Sequence, residues 1–574
     1  MYPSVRGLSL FGNMKKLRWQ ILVVILTLIV VAVLLLSQQP TATPTLPEPA
    51  SGGIYTEALI GSFARLNPLL DLNNPADRDI DRLIFSSLLR FDSTGTPQPD
   101  LAESWGVSAD GTIYNVTLRP NAVWQDGTPV TSDDVLFTIN LLRSDSSSYP
   151  ADVRSMWDQV ELTRLDDKNI KFVLPEPFVP FPDYLTFGIL PKHLLESITA
   201  DQLSTASFNL APVGSGPFKF DHLTVDNGQI TGVVLSVSDN YYNPTAFMQQ
   251  IVFRYYPDAD TALAAYHQGE VLGISQIPAN LVASACADPN LSCYSSRLPQ
   301  LAMVYFNLGN NDVAFFQEKV IRRALMKGLN RQWMVDNLLQ GQAQVADTPL
   351  LPLTWAYYEG VEHISFDQDQ AISDLKSAGY VLQPNGTIRE KDNVPLSFTM
   401  VYPDDASHAA LAQSIQQNWA AIGVEVKLQA VPYASLLSDY LTPRNYQAAL
   451  VDLDLSRSYD PDPYPFWHQA EITGGQNYSQ WDNRTASEYL EQARVVADPN
   501  LRARLYRNFQ VIFARELPAL PLYYPIYTYG VDQRVLGVQA VPLFEPAERF
   551  NNISSWYLVT RRALQQTVQP TSVP

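Results

Sequence analysis

The chain has 574 residues, 46% of them hydrophobic and 11% aromatic, too many for one ordinary core and too apolar for disorder, so two or three domains are expected. Its formal net charge is −19, and the four cations Arg6, Lys15, Lys16 and Arg18 all precede the first acid, Glu48, so the body beyond them is more acidic still. Such a body repels phosphate backbones, which excludes nucleic acid as a partner and leaves a cationic or zwitterionic ligand open.

Residues 1–16 read as a basic cytoplasmic N-terminus. Residues 17–36 are nearly continuous apolar residues, close to bilayer length as a helix, and the basic flank predicts that the body lies outside the membrane. The Pro/Thr-rich residues 37–52 lack a small-x-small cleavage site and read as an extended tether. An uncleaved signal anchor is therefore expected, with secretion after cleavage as the alternative. Gly53 to Leu70 reads as a strand and loop, Asn74-Pro75-Ala76-Asp77 precede a helix from Arg78 to Leu88, and strands follow at Ile113 to Leu118 and Ile170 to Leu174. Between them, Gly95-Thr96-Pro97 and Gly127-Thr128-Pro129 mark turns, the second opening a helix at Thr131. The glycines of Gly214-Ser215-Gly216-Pro217 do not make a phosphate loop, since no Lys-Ser/Thr follows and Pro217 blocks the helix.

Further on, strands are expected at Val233 to Val237, Ile251 to Tyr255 and Leu301 to Phe306. Cys286 and Cys293 are either a local bridge, worth roughly 2 to 3 kcal/mol for so short a loop, or two buried thiols. In the helix around Phe316 to Leu325, Val320, Ala324, Leu325 and Leu329 share one face, which turns Arg322 and Arg323 toward solvent or a partner permease. Helices over Asp367 to Gly379, Ala406 to Ala421 and Leu501 to Glu516, with a strand at Val424 to Leu428, give the alternation of an α/β lobe. His468 has no second histidine at metal spacing, so no metal site is expected. HExxH and GxSxG are absent from the sequence, so no catalytic motif points to an enzyme. The tail, 561–574, reads as a helix stub and frayed end.

Trp105, Asp110-Gly111, Leu118-Arg119, Trp124, Asp126 to Val130 and Asp133-Asp134-Val135 stand at a spacing that resembles the signature of the family 5 extracytoplasmic solute-binding proteins, the oligopeptide, dipeptide and nickel receptors of ABC importers. The resemblance continues through Leu66 to Leu69, Ala211 to Phe218, Pro349 to Pro352 and Leu517 to Tyr524. It implies an α/β, two-lobed periplasmic-binding-protein-like fold, preceded by one N-terminal transmembrane or signal helix. Lobe I would take 53–297, with an extra subdomain at about 83–210 and a return at 528–560, and lobe II would take 298–527. It further implies a monomer without cofactor or catalysis that captures a peptide or similar small solute and delivers it to a permease powered by ATPase subunits. The alternatives are an anchored extracytoplasmic hydrolase of peptides or glycans and a receptor-like sensor. Ligand contacts are expected at Asn74, Pro75, Ala76 and Asp77, at the cleft walls Trp355, Tyr357 and Trp467, and at one of the acids Asp452, Asp454, Asp460 and Asp462, which would meet a ligand ammonium.

Overall fold

A computed structural model describes residues 13–37, 46–92, 94–147, 149–352, 354–455 and 459–563. They form two compact units, one from 1–50 with 559–574 and one from 51–558.

The first unit contains the helix Asn13–Ser37. Its described side chains include Leu22–Leu34, exposed and apolar apart from Thr27, whose hydroxyl donates to the Val23 carbonyl at 2.7 Å. Among the described residues no helix is long and apolar enough to cross a membrane. The expected tether and tail need correction, because Leu46–Ala50 and Val559–Ala563 form an antiparallel ribbon in which Glu48 faces Arg561. Pro47 and Pro49 lack an amide to donate, which suits a two-stranded ribbon with free edges. The remainder of the tail, 564–574, lies outside the described residues.

The second unit is two-lobed, and one sheet runs through both lobes. In the first lobe Ile54–Ile60 lies parallel to Gln250–Tyr256 and Gly273–Ile274, and Gln229–Val237 and Phe218–Asp226 extend the sheet antiparallel. In the second lobe Gln300–Phe306 pairs antiparallel with Ala448–Asp454, beside which Ser397–Pro403 and Glu425–Val431 run parallel. The long strand Ala519–Asp532 belongs to both. Its first half pairs with Gln300–Phe306, Tyr305 opposite Ala519, and its second half with Leu291–Arg297, Arg297 opposite Ile526. Two antiparallel strands thus carry the chain between the lobes side by side, with Pro299 and Pro525 near the crossing, the arrangement expected of a hinge.

Buried faces explain the sequence patterns. Ala302, Val304 and Phe306 enter one core with Trp419, while Leu301, Met303 and Tyr305 enter another with Trp467 and Phe513. A strand covered on both faces reads as an unbroken apolar run. The subdomain is a four-stranded sheet of Ala102–Val107, Ile113–Leu118, Asn169–Val173 and Glu161–Arg164. Its Trp124, Trp157, Phe172 and Phe181 join the first-lobe core. Gly214 and Gly216 serve close packing, since a Cβ on Gly214 would collide with the Ile84 carbonyl and one on Gly216 with the carbonyls of Leu83 and Ile84, and the Gly216 amide donates to the Ile84 carbonyl at 2.8 Å.

Other expectations are corrected here. Helix Pro75–Ile84 begins earlier and ends earlier than the pattern implied, since Asn74 caps it by accepting from the Ala76 and Asp77 amides. Arg322 is not in solvent. It is 4% exposed and donates to the carbonyls of Phe316, Gln317, Glu516 and Leu517, closing the C-terminus of helix Pro499–Glu516. Its neighbour Arg323 pairs with Glu362. Cys286 and Cys293 are bonded, with Cα atoms 5.8 Å apart.

Candidate functional site: the cleft between the lobes

Helix Pro75–Ile84 sorts its charges by helical spacing. Asp77 and Asp81 turn to the preceding loop, where Asp77 accepts from the amides of Ala64 and Arg65 and from the Asn74 side chain, and Asp81 Oδ2 accepts from the Asn67 amide at 2.9 Å. Arg78 and Arg82, also one turn apart, line a cavity of about 1230 Å³ walled by both lobes. Both reach Glu545, at 3.5 and 2.6 Å. Asp79 instead meets the fully buried Arg549, which also pairs with Glu57. This array ties the strand Ile54–Ile60, the helix and the returning 545–549 segment into one wall.

Opposite stands the end of strand Ala448–Asp454. Ala448 and Leu450 face a core, and the period of two puts Asp452 and Asp454 on that same side where the core gives out. Both line the cavity. Asp452 is 3.0 Å from His408, which also contacts Asp405. Burial works against protonation of that imidazole, but the two carboxylates outweigh it and raise its pKa.

The loop after this strand crosses to the first lobe. Tyr459 stacks on Phe91 at 4.3 Å and packs on Phe544, and its hydroxyl donates to Glu548 while Arg82 donates to it at 3.2 Å. These three rings form a small cluster of their own outside the larger lobe cores. The Asp460 amide donates to Asp183 at 2.8 Å, and its carboxylate takes a bidentate pair from Arg502 at 2.7 and 2.9 Å. Asp462 pairs with Arg494 at 2.7 Å, and Arg494 lies 3.6 Å from the Tyr464 ring centroid. Tyr459 and the Asp460 amide thus bridge the cleft directly.

Burial raises several carboxyls facing this region. Asp71 is pushed up to about 7, its burial and the neighbouring Glu545 outweighing Arg78 and Arg82. Glu548 is likewise at about 7, with burial first and Glu545 adding to it, while Arg82 pulls the other way. Asp77 is at about 6, raised by burial against the amides of Arg65 and Ala64.

The residues expected at the ligand are therefore distributed unequally. Asp452, Asp454, Asp460 and Asp462 all line the cavity. Asn74, Ala76 and Asp77 are absent from its lining and hold the helix start and loop, and Pro75 borders a smaller hollow with Arg78 and Asp454. Trp467 is 1% exposed and stacks on Tyr305 within a second-lobe core. Trp355 packs on Tyr506 beneath Arg502, and Tyr357 sits on the same loop, neither lining the cavity. Sequence reasoning missed Arg78, Arg82, Arg90 and Arg119, all of which line it. The alternation Asp-Arg-Asp-Ile-Asp-Arg from Asp77 to Arg82 was the available signal, since it gives a helix two charged stripes of opposite sign.

The family described as bacterial extracellular solute-binding proteins, family 5 Middle, matches residues 96–477. The oligopeptide-binding protein AppA of Bacillus subtilis (strain 168) is 27% identical over 530 residues, covering 91% of this chain and 94% of its own. Its structure with a nonapeptide superposes with a TM-score of 0.70 at 26% identity, covering 89% of this chain and all of that one. NikZ from Campylobacter jejuni in complex with Ni(L-His) gives 0.69 at 25% identity, covering 89% of this chain and all of that one.

Proposed function

This chain belongs to the family 5 bacterial extracellular solute-binding proteins, and from that premise we propose that it captures a peptide between its lobes and hands it to an ABC permease. The observation that carries this reading is a cavity of about 1230 Å³ whose walls come from both lobes across a two-strand hinge. A space above the usual range for small-molecule pockets, about 300–1,000 Å³, suits an oligomeric ligand. A ligand touching both walls stabilises the closed form by its differential affinity for that form, which is how occupancy becomes a signal to the permease. The division we adopt is lobe I at 53–297 with 528–560, lobe II at 298–527 and the subdomain at about 83–210. Of the expected contacts we keep Asp452 and Asp454 for a ligand ammonium, because both line the cavity at the end of strand Ala448–Asp454, where Asp452 also holds His408.

The protein acts as a monomer that binds without chemistry, held at the extracytoplasmic face by residues 17–36. The support for the anchor is the nearly continuous apolar run and its basic flank. To test the function, the full chain is purified in detergent without refolding and denatured, and the released small molecules are identified by mass spectrometry. Unmodified peptides near one-to-one support the reading. A metal chelate or sugar would move the ligand class, and an empty protein that consumes peptides would overturn it.

A further inference from the structure

The segment from Tyr459 to Asp462 is rooted in one lobe and points into the other. Its root is in the second lobe. The Asp460 carboxylate is gripped by both arms of Arg502 from helix Pro499–Glu516, and that guanidinium lies 4.9 Å from the Trp355 ring centroid. Asp462 accepts from Arg494 of helix Arg484–Val495 at 2.7 Å and from the Tyr464 amide at 3.1 Å. Pro461 and the following Pro463 each fix their own φ, so two helices and two prolines hold this backbone from behind.

The tip meets the first lobe. Tyr459 is 8% exposed, yet its ring belongs to neither second-lobe core. It stacks on Phe91 at 4.3 Å and meets Phe544 at 4.7 Å. Burial and the facing Glu548 raise the pKa of its phenol, which stays protonated and donates to that carboxylate. The receiving slot is braced by its own lobe. Glu548 accepts from the Phe544 amide at 2.6 Å, and Arg82, which donates to the Tyr459 hydroxyl at 3.2 Å, is held by Glu545 at 2.6 Å. Beside it two backbone amides cross the cleft, Asp460 to the Asp183 carboxylate and Val179 to the Arg494 carbonyl, each at 2.8 Å. A buried aromatic ring ordinarily fills the core of the lobe that carries it. This one fills the opposite wall, and does so only when the lobes meet.

We propose that Tyr459 is an interlobe latch, a second-lobe side chain that seats in the slot formed by Phe91, Phe544 and Glu548 as the lobes close. The protein's own contacts then stabilise the closed form alongside any ligand, and the latch sets how much of the free protein is closed before a ligand arrives. Apparent affinity scales with that closed fraction, so the latch tunes the strength of capture without choosing the ligand. The inference goes beyond the proposed function and rests on closure of the two lobes, not on the ligand being a peptide.

The test uses the full chain washed free of small molecules, as checked by mass spectrometry of a denatured sample, with spin labels at Asn115→Cys and Lys427→Cys. Both positions are exposed, and the native cysteines are bonded to each other. Without ligand the distance distribution is expected to contain the closed component, and Tyr459→Ala lowers the closed-to-open ratio at least about tenfold. Tyr459→Phe keeps the ring, loses the hydroxyl and falls between. Hydrogen exchange at the Asp460 and Val179 amides is expected to quicken at least about tenfold in Tyr459→Ala. The ring lies outside the lobe cores, so the unfolding temperature is expected to hold. A native free protein without a closed component overturns the latch. So does an unchanged ratio in Tyr459→Ala, and a lower unfolding temperature beside that unchanged ratio would mark a merely structural residue. No ligand enters the measurement, so failure of the peptide reading leaves its outcome intact.

Discussion

Two stretches carried the expectation of ligand contact, Asn74 to Asp77 and Asp452 to Asp462, and the molecule uses them differently. The first is consumed by its own lobe: Asn74 caps a helix, and Asp77 holds two loop amides and the Asn74 side chain. The second forms part of the cavity wall, but unevenly. Asp460 and Asp462 are clamped by Arg502 and Arg494, while Asp452, which holds His408, and Asp454 stand on the cavity wall at the strand's end. A carboxylate held in a bidentate pair with a buried arginine shapes a wall, whereas one on the strand's last residues presents its charge to the cavity.

The largest effect expected along this contrast is from Asp460→Ala. It leaves Arg502, whose side chain is 6% exposed, without its partner, which costs about 3 to 5 kcal/mol. Urea unfolding measures it, and a loss below about 1 kcal/mol would show that the clamp does not hold the loop. Asp77→Ala strips the Ala64 and Arg65 amides of their acceptor and is expected to cost about 2 to 3 kcal/mol, with ligand affinity of the folded protein unchanged. A selective loss of affinity without loss of stability would return Asp77 to the ligand.

Next comes the disulfide. Its separation of 7 residues gives about 2 kcal/mol on loop entropy, so Cys286→Ser with Cys293→Ser lowers stability by that much and leaves binding intact, since neither cysteine lines the cavity. The pH dependence is smaller in temperature terms. Asp71 and Glu548 near 7 and Asp77 near 6 have folded pKa values above the unfolded ones, so their contribution is complete below about pH 4 and is lost as pH rises through 6 to 7. His408, raised as well, acts in the same direction. The unfolding temperature is expected to fall by about 2–5 °C between pH 5 and pH 8, and a rise would contradict the burial of these acids. The smallest effect is on binding alone: Asp454→Asn is expected to weaken a ligand bearing a free ammonium relative to its N-acetyl form, which calorimetry with the two ligands measures.

Much of the fold was legible because its signals are local. The helix Ala406–Ala421 ends before Gly423, and the run Leu301 to Phe306 announces a strand buried on both sides. Arg322 was misplaced because helical periodicity says which side chains share a face, not that the carbonyls of Glu516 and Leu517 lie within reach of one of them. The ribbon of Leu46–Ala50 with Val559–Ala563 joins segments at opposite ends of the chain, a pairing no window of sequence contains. The site was legible in its acids and hidden in its bases. Asp460-Pro461-Asp462-Pro463 stands out in composition, whereas Arg90 and Arg119 reach the cavity wall only through the fold.

The central claim is that a ligand draws the lobes together about the strand pair crossing at Pro299 and Pro525. The most direct measurement is the distance between spin labels on the exposed strand positions Asn115→Cys in the subdomain and Lys427→Cys in the second lobe, with and without the released peptide. The distance distribution is expected to shorten and narrow when peptide is added. An unchanged distribution at saturating peptide would contradict the claim.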